Sequence, residues 1–494
     1  MDACTEQAYQ QRIDELEGQL AQRDRRRGEL EVQLAQRDRR IAELEQQVAA
    51  LTAQVEQLTA QIARLLKNSA TSSKPPSSDI VKPPKPPTPP GGGKIGGQPG
   101  HPRHQRQPFA PEQIDRVEKY TLNQCPGCGG ELTAATVVPR VIQQIELVPR
   151  PVEVVEHQAG AYYCRRCRKV HYAPLPAVVE RGGLIGPELT ALIAYLKGVA
   201  HASFSTIRRF CHDVLKITIS RSQLVKLINK ATAAMDFAYQ QLRTSLPAED
   251  CLNVDETGHK DNGQRWWTWC FRAELYTLFK IDSSRGSQVL IEVLGREFEG
   301  VLGCDYFSAY RKYMGDFDVV VQFCLAHLIR DVKFLTTLPD QATAVYGQKL
   351  LDGLRAMFHV IHRREQLDAA EFAQALQQAR DELLATGQQA PQTRAARNLA
   401  ERFRLHGEAY FRFITTPGIE PTNNLAEQAI RFVVLDRLVT QGTRSERGRR
   451  WCERIWTAMA TCAQQGRSVF EYLRDALDAH LRGDATPSLL PAGP

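Results

Sequence analysis

At 494 residues the chain is too long for one ordinary core, and a hydrophobic fraction of 43% lets its larger pieces bury cores of their own. The formal charge of +7 permits a polyanionic partner. The polar opening residues exclude a secretory signal, and no run approaches the ~20 apolar residues that cross a bilayer, so a cytoplasmic protein with no membrane partner is expected.

The first element reads as a helix. Ile41, Leu44, Val48, Leu51, Val55, Leu58, Ile62 and Leu65 alternate three- and four-residue steps, the seam of a coiled coil. The register runs back through Leu34, Leu30, Leu20, Leu16 and Ile13, with Arg23, Arg27 and Arg37 loosening the upstream half. Residues 16–26 recur nearly intact at 30–40, a period of two heptads that preserves the seam. A coiled coil over 1–67 predicts a homo-oligomer; an amphipathic helix folded back on its own chain is the competing explanation. Residues 68–118 follow as a linker dense in Pro, Gly, Ser and Lys, made basic by Lys74, Lys82, Lys85, Lys94, Arg103 and Arg106.

Twelve cysteines in a cytoplasmic chain point to metal before disulfides. Cys125-Pro126-Gly127-Cys128 and Cys164-Arg165-Arg166-Cys167 are two knuckles, each able to turn both thiolates towards one ion. With strand-like runs between them, such as residues 141–147, they predict a zinc ribbon over 119–180. Four thiolates leave no open position, so this zinc is structural. Free thiols or a redox pair would be the bland alternative. From residue 181 to 245 the period is helical. Leu189, Leu192, Ile193 and Leu196 form one stripe, and short helices at 205–213 and 220–228 flank a turn at 215–218. That spacing suits a helix-turn-helix offering Arg221, Gln223 and Lys226 to DNA, although helical pairs that merely pack are commoner.

Residues 246–440 carry the chemistry. An alternating run at 251–255 closes on Asp255, strands follow at 265–272 and 275–281, a helix at 287–294, a strand at 301–305 closing on Asp305, and another strand at 319–324. Helical character from about 338 to 416 reads as an inserted subdomain, and Glu427 opens a helix beyond it. This is the order of an RNase H-like core. Its two strand-end aspartates and helical glutamate would hold two hard cations, Mg2+ or Mn2+, roughly 4 Å apart for in-line phosphoryl transfer. Each carboxylate has a rival use. Glu256 could replace Asp255, although alternation turns it to the opposite face. Asp305 could cap a turn, with Asp316 or Asp318 in its place, and Asn424 with Glu427 spells a capping box.

After residue 440 the chain is basic and helical to 494. The densest run of cations in the chain starts just before this at Arg437 and continues through Arg444, Arg447, Arg449, Arg450 and Arg454. A solvated helix face is the usual account of such a run; phosphate contact is the account favoured beside a catalytic glutamate. Arg431, one helical turn after Glu427, could orient it, touch phosphate or form a plain ion pair.

The stretch Pro421-Thr422-Asn423-Asn424-Leu425-Ala426-Glu427-Gln428-Ala429-Ile430-Arg431 resembles the signature of the insertion-sequence-66 family of DDE transposases. Asp255-Glu256-Thr257-Gly258 before a Trp-rich strand, Gln441-Gly442-Thr443-Arg444-Ser445-Glu446, and the tail Pro487-Ser488-Leu489-Leu490-Pro491 are similar to the same family. So are Ser72-Ser73-Lys74-Pro75-Pro76-Ser77-Ser78-Asp79, Gly96-Gly97-Gln98-Pro99-Gly100-His101 and the knuckles. The likeness covers nearly everything from about residue 65. It implies Asp255, Asp305 and Glu427 as the catalytic triad, double-stranded DNA as the partner, and small accessory proteins encoded by the same element. Cys324-Leu325-Ala326-His327 resembles a Cys-x-x-His pair of several DDE transposase groups; two visible ligands alone do not make a metal site.

The expected molecule is therefore a multidomain α+β protein: coiled coil, zinc ribbon, helical DNA-binding region, and an RNase H-like α/β core with a helical insertion. It would act on the nucleoid, binding an element's terminal inverted repeats, cutting the 3′ strands and joining them to target DNA. A DNA-binding regulator, or an inactive relic that binds ends without cutting, is the alternative. A nuclease on the same core is a third.

Overall fold

The computed structural model describes residues 3–65, 107–133, 141–145, 147–148 and 151–491. Most of the expected linker, with its two motifs, lies outside the described residues. α1 (Ala3–Leu65) is one helix of 63 residues, about 95 Å long at 1.5 Å per residue. Its seam side chains from Ile13 to Ile62 are 44–62% exposed. The chain divides into two compact units, residues 84–231 with 477–484, and residues 1–83, 232–476 and 485–494.

In the first of these, β1 (Ala161–Cys164) and β2 (Lys169–Tyr172) pair as an antiparallel hairpin. The strand expected near 141–147 is not formed, since residues 141–145 have no regular structure. α2 (Ala177–Gly182) and α3 (Pro187–Gly198) follow, the latter started by Pro187 in its first turn. Of the expected stripe only Ile193 is fully buried; Thr190, Ala191, Ala194 and Gly198 make up the rest of the packed face, because small residues allow the closer approach. α4 (Phe204–Asp213) is capped by Ser203, whose hydroxyl accepts from the Thr206 N–H at 3.0 Å. The turn after it places Lys216 at φ 59°. The second helix is not the short one expected: α5 (Arg221–Ser245) continues for 25 residues, because its apolar spacing persists through buried Leu227, Ala231, Ala234, Met235, Ala238 and Leu242. Arg221 and Lys226 are exposed on its first turns.

The other unit is built on a mixed five-stranded sheet. Its strands are β3 (Cys251–Asp261), β4 (Gln264–Arg272), β5 (Thr277–Asp282), β6 (Val301–Cys304) and β7 (Val321–Phe323). The order across the sheet is β5-β4-β3-β6-β7. β4 runs antiparallel to β3 and β5, whereas β6 runs parallel to β3 and β7. β3 does not end at Asp255; it continues to Asp261, because alternation persists and β4 supplies a partner at every position from Asn253 onward. α6 (Gln288–Leu294) and α7 (Ser308–Phe317) precede and follow β6, and α8 (Leu325–Leu335) follows β7.

Between β7 and the last three helices the chain is helical: α9 (Gln341–His362), α10 (Ala369–Gln388), α11 (Arg394–His406) and the single turn α12 (Arg412–Thr415). Asp340 and Asp368 cap α9 and α10. On β7 the Gln322 amide donates to the Tyr410 carbonyl at 2.9 Å and accepts from the Phe413 N–H at 3.0 Å, tying the end of this helical stretch to the sheet.

α13 (Asn424–Thr440), α14 (Glu446–Gln464) and α15 (Val469–Arg482) complete the chain. α14 lies along β5 and satisfies the strand's outward N–H groups. Glu453, Thr457 and Thr461, one turn apart, accept from Ile281 at 2.8 Å, Phe279 at 3.0 Å and Thr277 at 3.2 Å. The Gln441-Gly442-Thr443 corner between α13 and α14 has φ values of 60° at Gln441 and 89° at Gly442. A Cβ on Gly442 would lie 2.3 Å from the Lys260 carbonyl oxygen, so only glycine lets the corner close on β3. Ser445 then caps α14 through the Gly448 N–H. The tail motif returns to the same helix, where the Gln465 amide donates to the Leu489 carbonyl at 2.8 Å. Among the described residues no helix is long and apolar enough to cross a membrane.

Candidate active site

β3 alternates cleanly. Asn253, Asp255, Thr257, His259 and Asp261 share the face turned to α13 and α14: Asn253 meets Asn423, Thr257 meets Arg437, and His259 and Asp261 meet Thr443. Glu256 points the other way. Arg285 grips its carboxylate at 2.6 Å and the Tyr310 hydroxyl donates to it. Burial and the nearby Asp305 charge push the Glu256 carboxyl up to about 7 against the pull of Arg285.

Asp305 stands at the end of β6. The parallel register pairs Asn253 with Gly303, and carrying it two residues on sets Asp305 across from Asp255, neighbouring strands being about 4.8 Å apart. Each aspartate accepts one backbone bond through Oδ1, at 2.9 Å from Glu256 and from Phe307 respectively. Their Oδ2 atoms make no hydrogen bond within the described residues. Asp305 thus does cap its own turn, with one oxygen to spare. Asp316 is paired with Lys312, and exposed Asp318 ends α7, so neither replaces it.

Glu427 reaches the same place from the first turn of α13. The capping box does not form: the helix is preceded by Asn423, whose side chain makes no cap bond and instead joins Asn253 at 2.9 Å and the Val254 carbonyl at 2.8 Å. The Asn423 N–H donates to the Cys324 sulfur at 3.1 Å, and the Leu325 N–H to the Pro421 carbonyl at 2.9 Å. The Pro-Thr-Asn-Asn stretch is therefore the bolt holding the start of α13 to β3 and to the start of α8. So held, Glu427 faces His327 at 3.5 Å and Arg330 at 3.4 Å.

The three carboxylates are half-buried, and Asp305 and Glu427 are both near enough to act on Asp255. Burial, then the charges of Glu256, Asp305 and Glu427, hold the Asp255 carboxyl well above the usual carboxylate range. Burial also raises Asp305, opposed by the Phe307 N–H, Arg285 and Arg402. Carboxylates gathered at such an electrostatic cost, with oxygens to spare, suit a hard divalent cation.

Around them lie groups that the sequence reading did not single out. Arg402 pairs with Asp331 at 2.8 Å and stacks 3.8 Å above Tyr306, which Arg311 approaches at 4.5 Å. Tyr306, Arg311, Arg394 and Arg402 line a groove of about 690 Å³. Position next to Asp305 was the only sequence signal for Tyr306; the arginines come from elements whose packing no local pattern reveals.

The basic run divides. Arg437 is spent on Thr257 and the Gly258 carbonyl, Arg449 on Asp261 and the Trp266 ring, and buried Arg454 on Asp236 and Glu453. Arg431, Arg444 and Arg447 are exposed, and Arg450 is half-exposed with a 3.3 Å contact to Asp236.

In the knuckles, backbone N–H groups of Gly127 and Cys128 lower the Cys125 thiol, and that of Cys167 with its thiol lowers Cys164. The residue after each second cysteine is left-handed, Gly129 at φ 74° and Arg168 at φ 56°. These are the turns that point two thiolates at an ion. Among the described residues the four thiols do not meet; the one group of three or more ligand-type side chains with atoms within 4.8 Å of one another is Cys324, His327 and Glu427.

Three family models match the chain. One described as "Transposase IS66 family" covers residues 182–450, and one described as "zinc-finger binding domain of transposase IS66" covers residues 123–168. A family of unknown function matches residues 31–107. Uncharacterized protein y4hP of Sinorhizobium fredii (strain NBRC 101917 / NGR234) is 23% identical over 417 residues, spanning 75% of this chain and 73% of that protein. Uncharacterized protein y4qI of the same strain is 22% identical over 425 residues, spanning 78% and 76%. The resemblance drawn from the motifs is borne out, and the zinc-finger match supports structural zinc in the segment that holds the knuckles.

Proposed function

Because the chain belongs to the IS66 transposase family, we propose that it cuts the 3′ strands at an element's terminal inverted repeats and joins them to target DNA, with Asp255, Asp305 and Glu427 as its metal-binding carboxylates. The observation that carries this reading is the convergence of Asp255 and Asp305 from adjacent parallel strands with Glu427 from α13. The strand order, antiparallel on one side of β3 and parallel on the other, supports an RNase H-like core. Bound Mg2+ or Mn2+ would activate the attacking oxygen and stabilise the leaving one. The chain itself does the arranging. Asn423 fixes the start of α13, Arg330 orients Glu427, and Glu256 is kept on the far face by Arg285 and Tyr310.

DNA would follow the cations that are still exposed, Arg431 on α13, Arg444, Arg447 and Arg450 beyond it, and Arg394 beside half-buried Arg311 in the groove next to Tyr306. The ribbon, with zinc on Cys125, Cys128, Cys164 and Cys167, and the α4–α5 pair would bind the element ends. α1 would join copies of the chain as a coiled coil, supported by its exposed apolar seam.

Strand joining in vitro tests the reading. Labelled DNA from the gene's own flanks is incubated with Mg2+ or Mn2+ and wild type, Asp305→Asn or Glu427→Gln. Joined product is expected from wild type and reduced by more than about a thousandfold, ~4 kcal/mol, in each variant. Binding without joining, unchanged by either substitution, would point to a regulator or to a requirement for accessory proteins.

A further inference from the structure

We propose that Cys324, His327 and Glu427 form a binding site for one thiophilic divalent cation of the zinc class, separate from the ribbon thiols. One sulfur, one imidazole nitrogen and one carboxylate oxygen all lie within 4.8 Å of one another, and Cys324 and His327 are 1% and 6% exposed. This donor set is soft and borderline, unlike the all-oxygen set of Asp255 and Asp305.

The polar atoms are unspent. His327 Nδ1 and Glu427 Oε1 are buried, face each other at 3.5 Å, and neither has a hydrogen-bond partner among the described residues. A protonated Nδ1 would be expected to donate at about 2.8 Å. With Nδ1 as the unprotonated nitrogen, the 3.5 Å gap is one that a cation bound to both atoms would span. Arg330 lies beside Oε2 at 3.4 Å and leaves Oε1 as the available oxygen.

The sulfur is prepared in a different way. The backbone N–H groups of Asn423, His327 and Ala326 are directed at Cys324, which burial otherwise keeps protonated. Such donors are what a buried metal-bound thiolate needs around it. All three side chains stand at helix starts, two on α8 and one on α13, bolted together through Pro421 and Leu325. Three protein ligands leave a fourth position for water or a phosphate oxygen.

The cation site rests on these three side chains alone. Its consequence rests on the proposed role of Glu427, since zinc there would withdraw that carboxylate from the hard ions and inhibit strand joining.

The test is zinc content of the full chain after saturation and gel filtration, by elemental analysis. Wild type is expected to retain about two ions per chain, and Cys128→Ser about one. Cys324→Ser and His327→Gln are each expected to lose the other. Serine can still accept the backbone bonds, and His327→Gln reads the site should Cys324→Ser misfold. About one ion in wild type, or about two in both Cys324→Ser and His327→Gln, would overturn the proposal. Failure of strand joining in Mg2+ by wild type from which the second zinc has been removed would instead overturn the catalytic reading and leave the cation site standing.

Discussion

Arg330 is the cation that reaches Glu427, whereas Arg431, on the same helix as the glutamate, is exposed. If Arg330 orients Glu427, Arg330→Met should lower strand joining about 10- to 100-fold with DNA binding unchanged. Arg431→Met should instead weaken binding and reduce its salt dependence, as a phosphate contact would. Filter binding across a salt series, run beside the joining assay, separates the two. His259 offers a test by pH. It is 3% exposed, its Nε2 lies 2.9 Å from the Thr443 hydroxyl, and burial pushes its pKa from 6.5 down to about 4. A depressed histidine favours the folded state fully above pH 6.5, and that contribution drains as pH falls from about 6.5 towards 4. Wild type should lose about 2 kcal/mol between pH 7 and pH 5 from this group. The urea midpoint of His259→Asn should move less over the same interval; an equal movement would mean that the imidazole takes up its proton without penalty. These partnerships were invisible in the sequence because Arg330, Thr443 and His327 are far along the chain from what they touch. The opposite facing of Asp255 and Glu256 was legible, since strand alternation turns neighbouring residues to opposite faces.

At the level of elements, strands and helices followed from local pattern, and their errors have local causes. β3 outruns its expected end at Asp255 because the alternating polar stripe from Asn253 to Asp261 stays paired with β4 throughout. It is a stripe covered by α13 and α14. The short second helix was an error of the same kind, as nothing in the sequence marks Ile228 as an end. Strand order was not legible from spacing alone, because the β3–β6 pairing that aligns Asp255 with Asp305 joins segments whose register is set by packing. Two motifs acquired physical meanings only in three dimensions. Gly442→Ala puts a side chain at φ 89° against the Lys260 carbonyl, and a loss of about 1–3 kcal/mol is expected from thermal or urea unfolding. Thr457→Val keeps the shape of α14 but strands the Phe279 N–H, a buried donor without a partner. A loss of about 1–3 kcal/mol is expected there too, and none from exposed Thr244→Val as control.

For the whole molecule, α1 is the element that argues for more than one chain. A helix of 63 residues keeping its apolar seam in water has no reason to persist alone, and a partner seam would cover it. Leu51→Asp with Leu58→Asp should shift the mass measured by light scattering towards the single chain. An unchanged mass would move self-association elsewhere. The three- and four-residue period of α1 was plain in the sequence because it is a purely local signal.

The row of Glu453, Thr457 and Thr461 along β5 bears on what becomes of damaged copies of the gene. A stop codon between α13 and α14 would spare Asp255, Asp305 and Glu427, and the shortened product would look intact to anyone counting acids. It would also leave β5 with a bare row of N–H groups, free to recruit a strand from its neighbour. Such a product should be found in inclusion bodies and not as a soluble competitor for DNA, so natural truncations of this kind would silence the gene by insolubility before chemistry is ever tested.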